Sequence, residues 1–263
     1  MSFVKAKKHL GQHFLRDDNI AIKIVQSLDK SLSNSLIEIG PGTGVLTKFL
    51  INENYNLKLI EIDSESVNYL VSILKFDSDN ILEGDFLKMK IDNIFNNQFS
   101  IIGNFPYNIS TQIIFKVLEN KDQVVQVIGM FQKEVAERIC EKKGTKKYGI
   151  LSVLTQAYYN VDYLFEVPPS VFNPPPKVQS AVIKLIRIDN ISKNYNEELF
   201  YKIVKLSFQQ RRKTLRNSLK IFNIPLNLRE DAIFGLRPEQ LSVRDFINLT
   251  NLCLLYTSDA ADE

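Results

Sequence analysis

The tetrapeptide Asn104-Phe105-Pro106-Tyr107 brings together the groups that a transfer to an exocyclic ring nitrogen needs. Such an amine, as in adenine, is a weak nucleophile because its lone pair is delocalised into the ring. Neither a metal nor a strong base is required; fixed acceptors that orient the amine and stabilise its growing positive charge are enough. The Asn104 side-chain oxygen and the Phe105 or Pro106 carbonyl are natural acceptors, and Pro106 fixes the turn. Tyr107 offers an aromatic face to a base taken out of its helix. The plain alternative is an ordinary turn with a core tyrosine. Phe172, in the proline-stiffened residues 167–177, is expected to help pack the same base, against the alternative of a hydrophobic plug under its loop. Lys147 and Tyr148, in a segment bracketed by glycines, are candidates for contacts to backbone phosphates.

A second group of residues would hold the donor of the transferred group. Glu38-Ile39-Gly40-Pro41-Gly42-Thr43-Gly44 lies between strand-like and helix-like residues. Its glycines let the backbone turn tightly and come close to a ligand. The dinucleotide fingerprint expects its third glycine one place later, and the lysine-containing phosphate loop is absent. The spacing points instead to a loop that holds S-adenosylmethionine. Glu61 can accept both ribose hydroxyls, and Asp85 can accept from the adenine amino group. Each acid alone could be a solvated carboxylate or a helix cap. Together with Glu38 and Asn104 they fall at four successive strand ends, where open α/β sheets bind ligands. No metal is expected, since His9 and His13 are the only histidines.

Positioning these residues requires a particular set of elements. Strands are expected at 36–39, 57–62, 81–82, 99–102 and 124–130, with helices at 45–50, 64–74, 109–118 and 133–140, Ser64 capping the second. This alternation predicts an α/β fold with a doubly wound, mostly parallel sheet. A helix near 149–159 and strands at 163–167 and 180–188 would add an antiparallel edge. From residue 197 the chain reads as helical. The expected domains are 1–190, carrying the nucleotide site, and 191–252, a small helical RNA-binding domain, with 253–263 an unstructured acidic tail.

Composition narrows the class further. The 263 residues are 44% hydrophobic and 24% charged, which excludes a disordered chain. No apolar run reaches the roughly 18 residues of a membrane-spanning helix. The basic N-terminal residues are not followed by a secretory apolar core. Two cysteines, Cys140 and Cys253, exclude a disulfide scaffold and a cysteine-rich zinc module. A cytoplasmic protein with no membrane partner is expected. Net charge is only +3, but it is unevenly spread. Residues 1–16 hold four basic side chains and no acid, and residues 199–229 hold eight and again no acid. An apolar stripe from Phe200 through Phe208 and Leu215 to Phe222 suggests one helix, with Lys205, Arg212 and Arg216 on another face beside Lys213. That face suits phosphate contacts along RNA.

These motifs, in this order and spacing, resemble the family of small-subunit ribosomal RNA adenine N6,N6-dimethyltransferases. The resemblance rests on Lys8-His9-Leu10-Gly11-Gln12-His13-Phe14-Leu15, residues 38–44, Glu61-Ile62-Asp63, Gly84-Asp85, residues 104–110, 168–182 and 208–216, and Leu236-Arg237-Pro238-Glu239-Gln240-Leu241. It covers roughly residues 5–252 and implies a seven-stranded methyltransferase sheet with a small helical C-terminal domain. It further implies that His13 to Leu15 line the methionine end of S-adenosylmethionine and that Gly40 touches the cofactor through its backbone. Glu61 would hold the ribose, Asp85 the adenine, and Asn104 would sit between cofactor and target amine. The implied substrate is a pair of adjacent adenosines in a hairpin near the 3′ end of small-subunit (16S) rRNA, in an immature subunit, and the implied enzyme is a monomer that does not act on DNA. Where the family usually has Leu, this chain has Phe105. Two other readings share the same motifs: a large-subunit rRNA adenine methyltransferase of the macrolide-resistance kind, and a ribosome-assembly factor that only binds RNA.

Overall fold

The computed structural model describes residues 4–189, 194–225 and 230–258, with side chains to Leu254. The chain divides into two compact units. The first comprises residues 4–136 and 160–187, and the second 137–159 and the described residues from 188 onward. This differs from the single boundary expected near residue 190. Residues 137–159 group with the C-terminal helices, because the helix Ile150–Gln156 packs on Glu197–Gln209 and on Val243–Ser258.

The first unit is built on a seven-stranded sheet. Its strands are β2 (Ser35–Ile39), β3 (Asn56–Glu61), β4 (Ile81–Glu83), β5 (Phe99–Asn104), β6 (Val124–Gln132), β7 (Tyr159–Val167) and β9 (Ser180–Arg187), in the order β4-β3-β2-β5-β6-β9-β7. From β4 to β6 neighbouring strands are parallel, and β9 runs antiparallel to β6. The central strands are near-continuous apolar runs, as expected of strands covered on both faces. Leu36, Leu59, Ile101, Ile102, Val127 and Ile128 are all fully buried. Strand order reverses direction between β2 and β5, so a crevice opens beyond their carboxyl ends.

Two short elements were not expected. Phe14–Leu15 (β1) and Phe172–Asn173 (β8) form a separate antiparallel pair, with Leu15 opposite Phe172. The helix Asp18–Gln26 (α1) follows, its first amides capped by the Asp17 carboxylate at 2.9 and 3.1 Å. The remaining helices of this unit are α2 (Thr47–Leu50), α3 (Ser64–Ser72) and α4 (Ser110–Glu119), with the start of α5 (Lys133–Cys140). Asp63, rather than Ser64, caps α3 by accepting from the Glu65 amide. Within β6, the buried Gln126 uses its side-chain amide as a piece of backbone, accepting from Asp29 N at 2.9 Å and donating to Asp29 O at 3.1 Å.

The second unit is helical, with α6 (Ile150–Gln156), α7 (Glu197–Gln209), α8 (Leu215–Ser218) and α9 (Val243–Ser258). The single helix expected across residues 200–222 is interrupted: α7 stops at Gln209, and a turn precedes α8. Arg211 takes part in that break by donating to the Thr145 and Lys146 carbonyls. Phe200, Val204, Leu215 and Leu219 are buried, while Lys205, Arg212, Lys213 and Arg216 are exposed. The expectation of an unstructured tail from residue 253 is also corrected, since α9 continues to Ser258 and Cys253 is buried. Residues 259–263 lie outside the described ones.

Candidate active site

The carboxyl ends of four parallel strands converge on one cavity of about 240 Å³. Gly40 follows β2, Glu61 ends β3, Asp85 follows β4, and Asn104 ends β5; all four border the cavity. His13, Pro106 and Tyr107 border it as well. The structure thus brings together seven of the nine site residues expected from sequence.

Glu61 is 3% exposed, and its carboxylate organises the loops around it. One oxygen accepts from the Gly42 amide at 2.9 Å, the other from the amides of Ile62 and Asp63, both at 2.9 Å. Burial raises its pKa, and these hydrogen bonds oppose the rise. Three of about four lone-pair positions are filled, so one remains for a ligand hydroxyl. Asp85 is more open and accepts from the Leu87 amide at 3.0 Å. Gly42 holds a left-handed conformation at φ 55°, and a Cβ there would fall 2.7 Å from the Phe14 ring. The absence of a side chain at Gly42 therefore lets the Phe14 ring lie directly on the glycine loop.

Asn104 is anchored from one side only. Its amide nitrogen donates to the His13 carbonyl at 2.9 Å, which fixes its orientation and leaves its oxygen as an acceptor. Tyr107 stacks on the His13 ring, with centroids 5.3 Å apart and planes at 28°, and its hydroxyl shares a hydrogen bond with the Ser180 hydroxyl. The His13 Nδ1 lies 2.7 Å from the Pro174 carbonyl oxygen. Phe105 turns away from the cleft into the core, 1% exposed and edge-on to Phe131 at 5.1 Å. Its ring fits because Gly103 and Gly129 carry no side chain: a Cβ on either would lie within 2.8 Å of it. That clearance accounts for Phe where a smaller Leu was expected.

Two expected site residues are placed elsewhere. Phe172 is 4% exposed and belongs to the core cluster, so it is the plug beneath its loop and presents no ring to a base. Its partner Leu15, 2% exposed, sits in the same cluster, and Phe14 borders the cavity in its place. Apolar bulk next to a β-pair explains both. The phosphate-contact expectation for Tyr148 is likewise corrected. Its ring is 1% exposed and edge-on to Phe208, and Lys147 pairs with Glu137 at 2.6 Å. Phe14 lies within the expected His13 to Leu15 segment, whereas Gln12, which also borders the cavity, was given no site role.

Glu38 gives the site a pH signature. It is 1% exposed and accepts from the Thr47 hydroxyl at 2.7 Å. Burial pushes its pKa up to about 8; the Thr47 hydrogen bond opposes this, and the nearby Glu61 adds to it. The folded pKa lies above the unfolded value near 4.5, so the contribution to stability is complete below that value and is lost as pH rises through about 8. Urea midpoints should therefore decline between about pH 5 and pH 8, with this group contributing up to about 1.4 kcal/mol per pH unit. Glu38→Gln should flatten that part of the slope. A mutant curve parallel to the wild-type curve would place the slope on other groups.

An open α/β sheet with a glycine turn after its first parallel strand, and acids at the ends of the next two, fits a nucleoside-bearing methyl donor. Gly40 leaves room for close backbone approach, while Glu61 and Asp85 supply acceptors for hydroxyl and amino groups. The fold and site are those of an S-adenosylmethionine-dependent methyltransferase. Residues 3–231 match the family described as ribosomal RNA adenine dimethylase, and the chain belongs to that family. It is 58% identical over 251 residues to the ribosomal RNA small subunit methyltransferase A of Flavobacterium johnsoniae, covering 95% of this chain and 96% of that one. The protein of the same name from Cytophaga hutchinsonii is 52% identical over 254 residues, covering 96% and 98%. Among solved structures, a dimethyladenosine transferase from Plasmodium falciparum superposes with a TM-score of 0.77 at 27% identity, covering 95% of this chain and 98% of that one. The 23S rRNA methyltransferase ErmE shares the fold, with a TM-score of 0.66 at 24% identity over 90% of this chain and 99% of that one.

Proposed function

We propose that the protein methylates N6 of two adjacent adenosines in a hairpin near the 3′ end of small-subunit (16S) rRNA, placing two methyl groups on each. The substrate is rRNA within an immature subunit, and the enzyme acts in the cytoplasm as a monomer, with neither DNA nor a membrane as partner. The observation that carries this reading is Asn104, whose free oxygen borders the same cavity as Glu61 and Asp85. The 58% identity to a small-subunit methyltransferase supports the choice of subunit.

The cavity residues would hold S-adenosylmethionine, which when bound would supply an electrophilic methyl group. Glu61 would hold a ribose hydroxyl with its remaining acceptor position, Asp85 the adenine amino group, and the Gly40 backbone the remaining edge. Asn104 and the Phe105 or Pro106 carbonyl accept hydrogen bonds from the target amine, orient it and stabilise its developing charge. Tyr107, fixed by Ser180 and already stacked on His13, offers its ring to the extruded base. The exposed Lys205, Arg212, Lys213 and Arg216 of the helical unit contact phosphates and position the RNA without reading its bases.

Incubation of unmethylated small subunits with labelled S-adenosylmethionine, followed by mass spectrometric mapping, tests the reading. Two adjacent dimethylated adenosines near the 3′ end are expected. Absence of label on the small subunits, label at other nucleotides, or binding without transfer would overturn it.

A further inference from the structure

The N-terminal segment meets three separate loops at the strand ends. Phe14 lies over Gly42, and the Asn104 side chain holds the His13 carbonyl. Gly11, at φ 66°, abuts Asn108 so closely that a Cβ would fall 2.4 Å from its side-chain oxygen. The third attachment is Asp63, which the proposed chemistry leaves unused. Asp63 is 2% exposed, and one oxygen takes the Lys7 ammonium while the other accepts from the Gln12 side chain at 3.2 Å. Lys7 and Gln12 also bond to each other: the Lys7 amide donates to the Gln12 side-chain oxygen at 2.8 Å. Residues 8–11 are thus looped out between two residues that end on one buried carboxylate, and Leu10 and Gly11 of that loop border the cavity.

We propose that Asp63 is a positioning residue that latches residues 7–12 against the cavity and so sets the affinity for S-adenosylmethionine. The latch is coupled to the ribose acceptor, because the Asp63 amide donates to the Glu61 carboxylate. A charge-assisted hydrogen bond at a buried carboxylate is among the stronger contacts available to a surface segment. Burial alone would raise the Asp63 pKa, but the bonds from Lys7, Gln12 and Ser66 outweigh it and hold the carboxyl below its usual range. If opening the latch leaves only a fraction of molecules competent, the dissociation constant rises by the inverse of that fraction.

The inference rests on the cavity being the cofactor site, so the test has one arm without ligand. In Lys7→Met, which leaves the cap of α3 untouched, amide exchange at Leu10, Gly11 and Gln12 should quicken in the free protein. Calorimetry should give a dissociation constant for S-adenosylmethionine raised by roughly three- to tenfold. Turnover at saturating cofactor should stay near wild type, which separates positioning from chemistry. Asp63→Asn, which keeps a capping oxygen, should act in the same direction. The Lys7→Met/Asp63→Asn double variant should be no worse than the more severe single variant, because both break one junction. Unchanged exchange in Lys7→Met, or additive losses in the double variant, would overturn the latch. Faster exchange with unchanged affinity would retain the junction but overturn its role in cofactor binding.

Discussion

Asn104→Ala is expected to lower the turnover number by about 100- to 1,000-fold, the range found when a preorganised polar group is removed from a developing charge. Cofactor affinity should fall far less, because among the described residues the side chain touches the N-terminal segment through one hydrogen bond, to the His13 carbonyl. The two faces of the amide thus have separable jobs. Its nitrogen holds the segment, and its oxygen is left to meet the target amine. Asn104→Asp separates them, since it keeps acceptors but places a carboxylate against the His13 carbonyl. That variant should lose cofactor affinity more than Asn104→Ala does. Single-turnover rates with saturating cofactor, set beside calorimetric binding, read both quantities. Equal losses of rate and affinity in Asn104→Ala would mean that the residue acts through the segment alone.

Glu61→Ala should weaken the protein in two ways at once. S-adenosylmethionine binding should fall by on the order of tenfold to a hundredfold, as for the loss of a hydrogen bond to a charged group. The ligand-free protein should also lose about 3 kcal/mol or more of unfolding free energy, because three backbone amides lose their acceptor. A residue that served the ligand only would leave the second quantity unchanged. Glu61→Gln should fall between, since one terminal atom still accepts while the other turns a donor toward a backbone donor. Urea unfolding without cofactor and calorimetry with it measure the two effects. Unaltered cofactor affinity in Glu61→Ala would remove Glu61 from the ribose role.

Much of the α/β unit was legible because its strands are short apolar runs punctuated by glycine and acid. Leu36 to Ile39 before Gly40, and Phe99 to Ile102 before Asn104, could hardly be read otherwise. The register of Glu61, Asp85 and Asn104 along one sheet edge followed from those runs. What escaped depended on pairing at a distance. Phe14–Leu15 and Phe172–Asn173 are two residues each, too short to display a period, and only their partnership makes them strands. That partnership explains why Phe172 and Leu15 were misassigned: an aromatic in a proline-rich loop reads as a presented ring until the strand beneath it is known. The helix Asp18–Gln26 was not expected either, although Asp17 and the apolar Ile20, Ile24 and Val25 carry its cap and its face. The end of α7 at Gln209 escaped as well. The apolar stripe runs on through Leu215 and Leu219, and only the hydrogen bonds from Arg211 to the 145–146 backbone reveal a turn.

The fit of Phe105 into the space left by Gly103 and Gly129 has a consequence for how this sequence can change. The ring and the two bare backbones are mutually conditional. An alanine at Gly129 would meet the Phe105 and Phe131 rings at 2.4 and 2.6 Å, and one at Gly103 would also press on the Ile39 carbonyl at 2.6 Å. Phe105 therefore acts as a ratchet: while it is present, neither glycine can gain a side chain without forcing atoms apart. A lineage could move from Gly129 to alanine only after residue 105 had become smaller and the Phe131 ring had given way, while Gly103 stays barred by the Ile39 carbonyl whatever stands at 105. Because Phe105 is the second residue of the tetrapeptide turn, a residue at the lip of the cleft shares, with Phe131 and the Ile39 carbonyl, in deciding the freedom of two positions buried in the sheet.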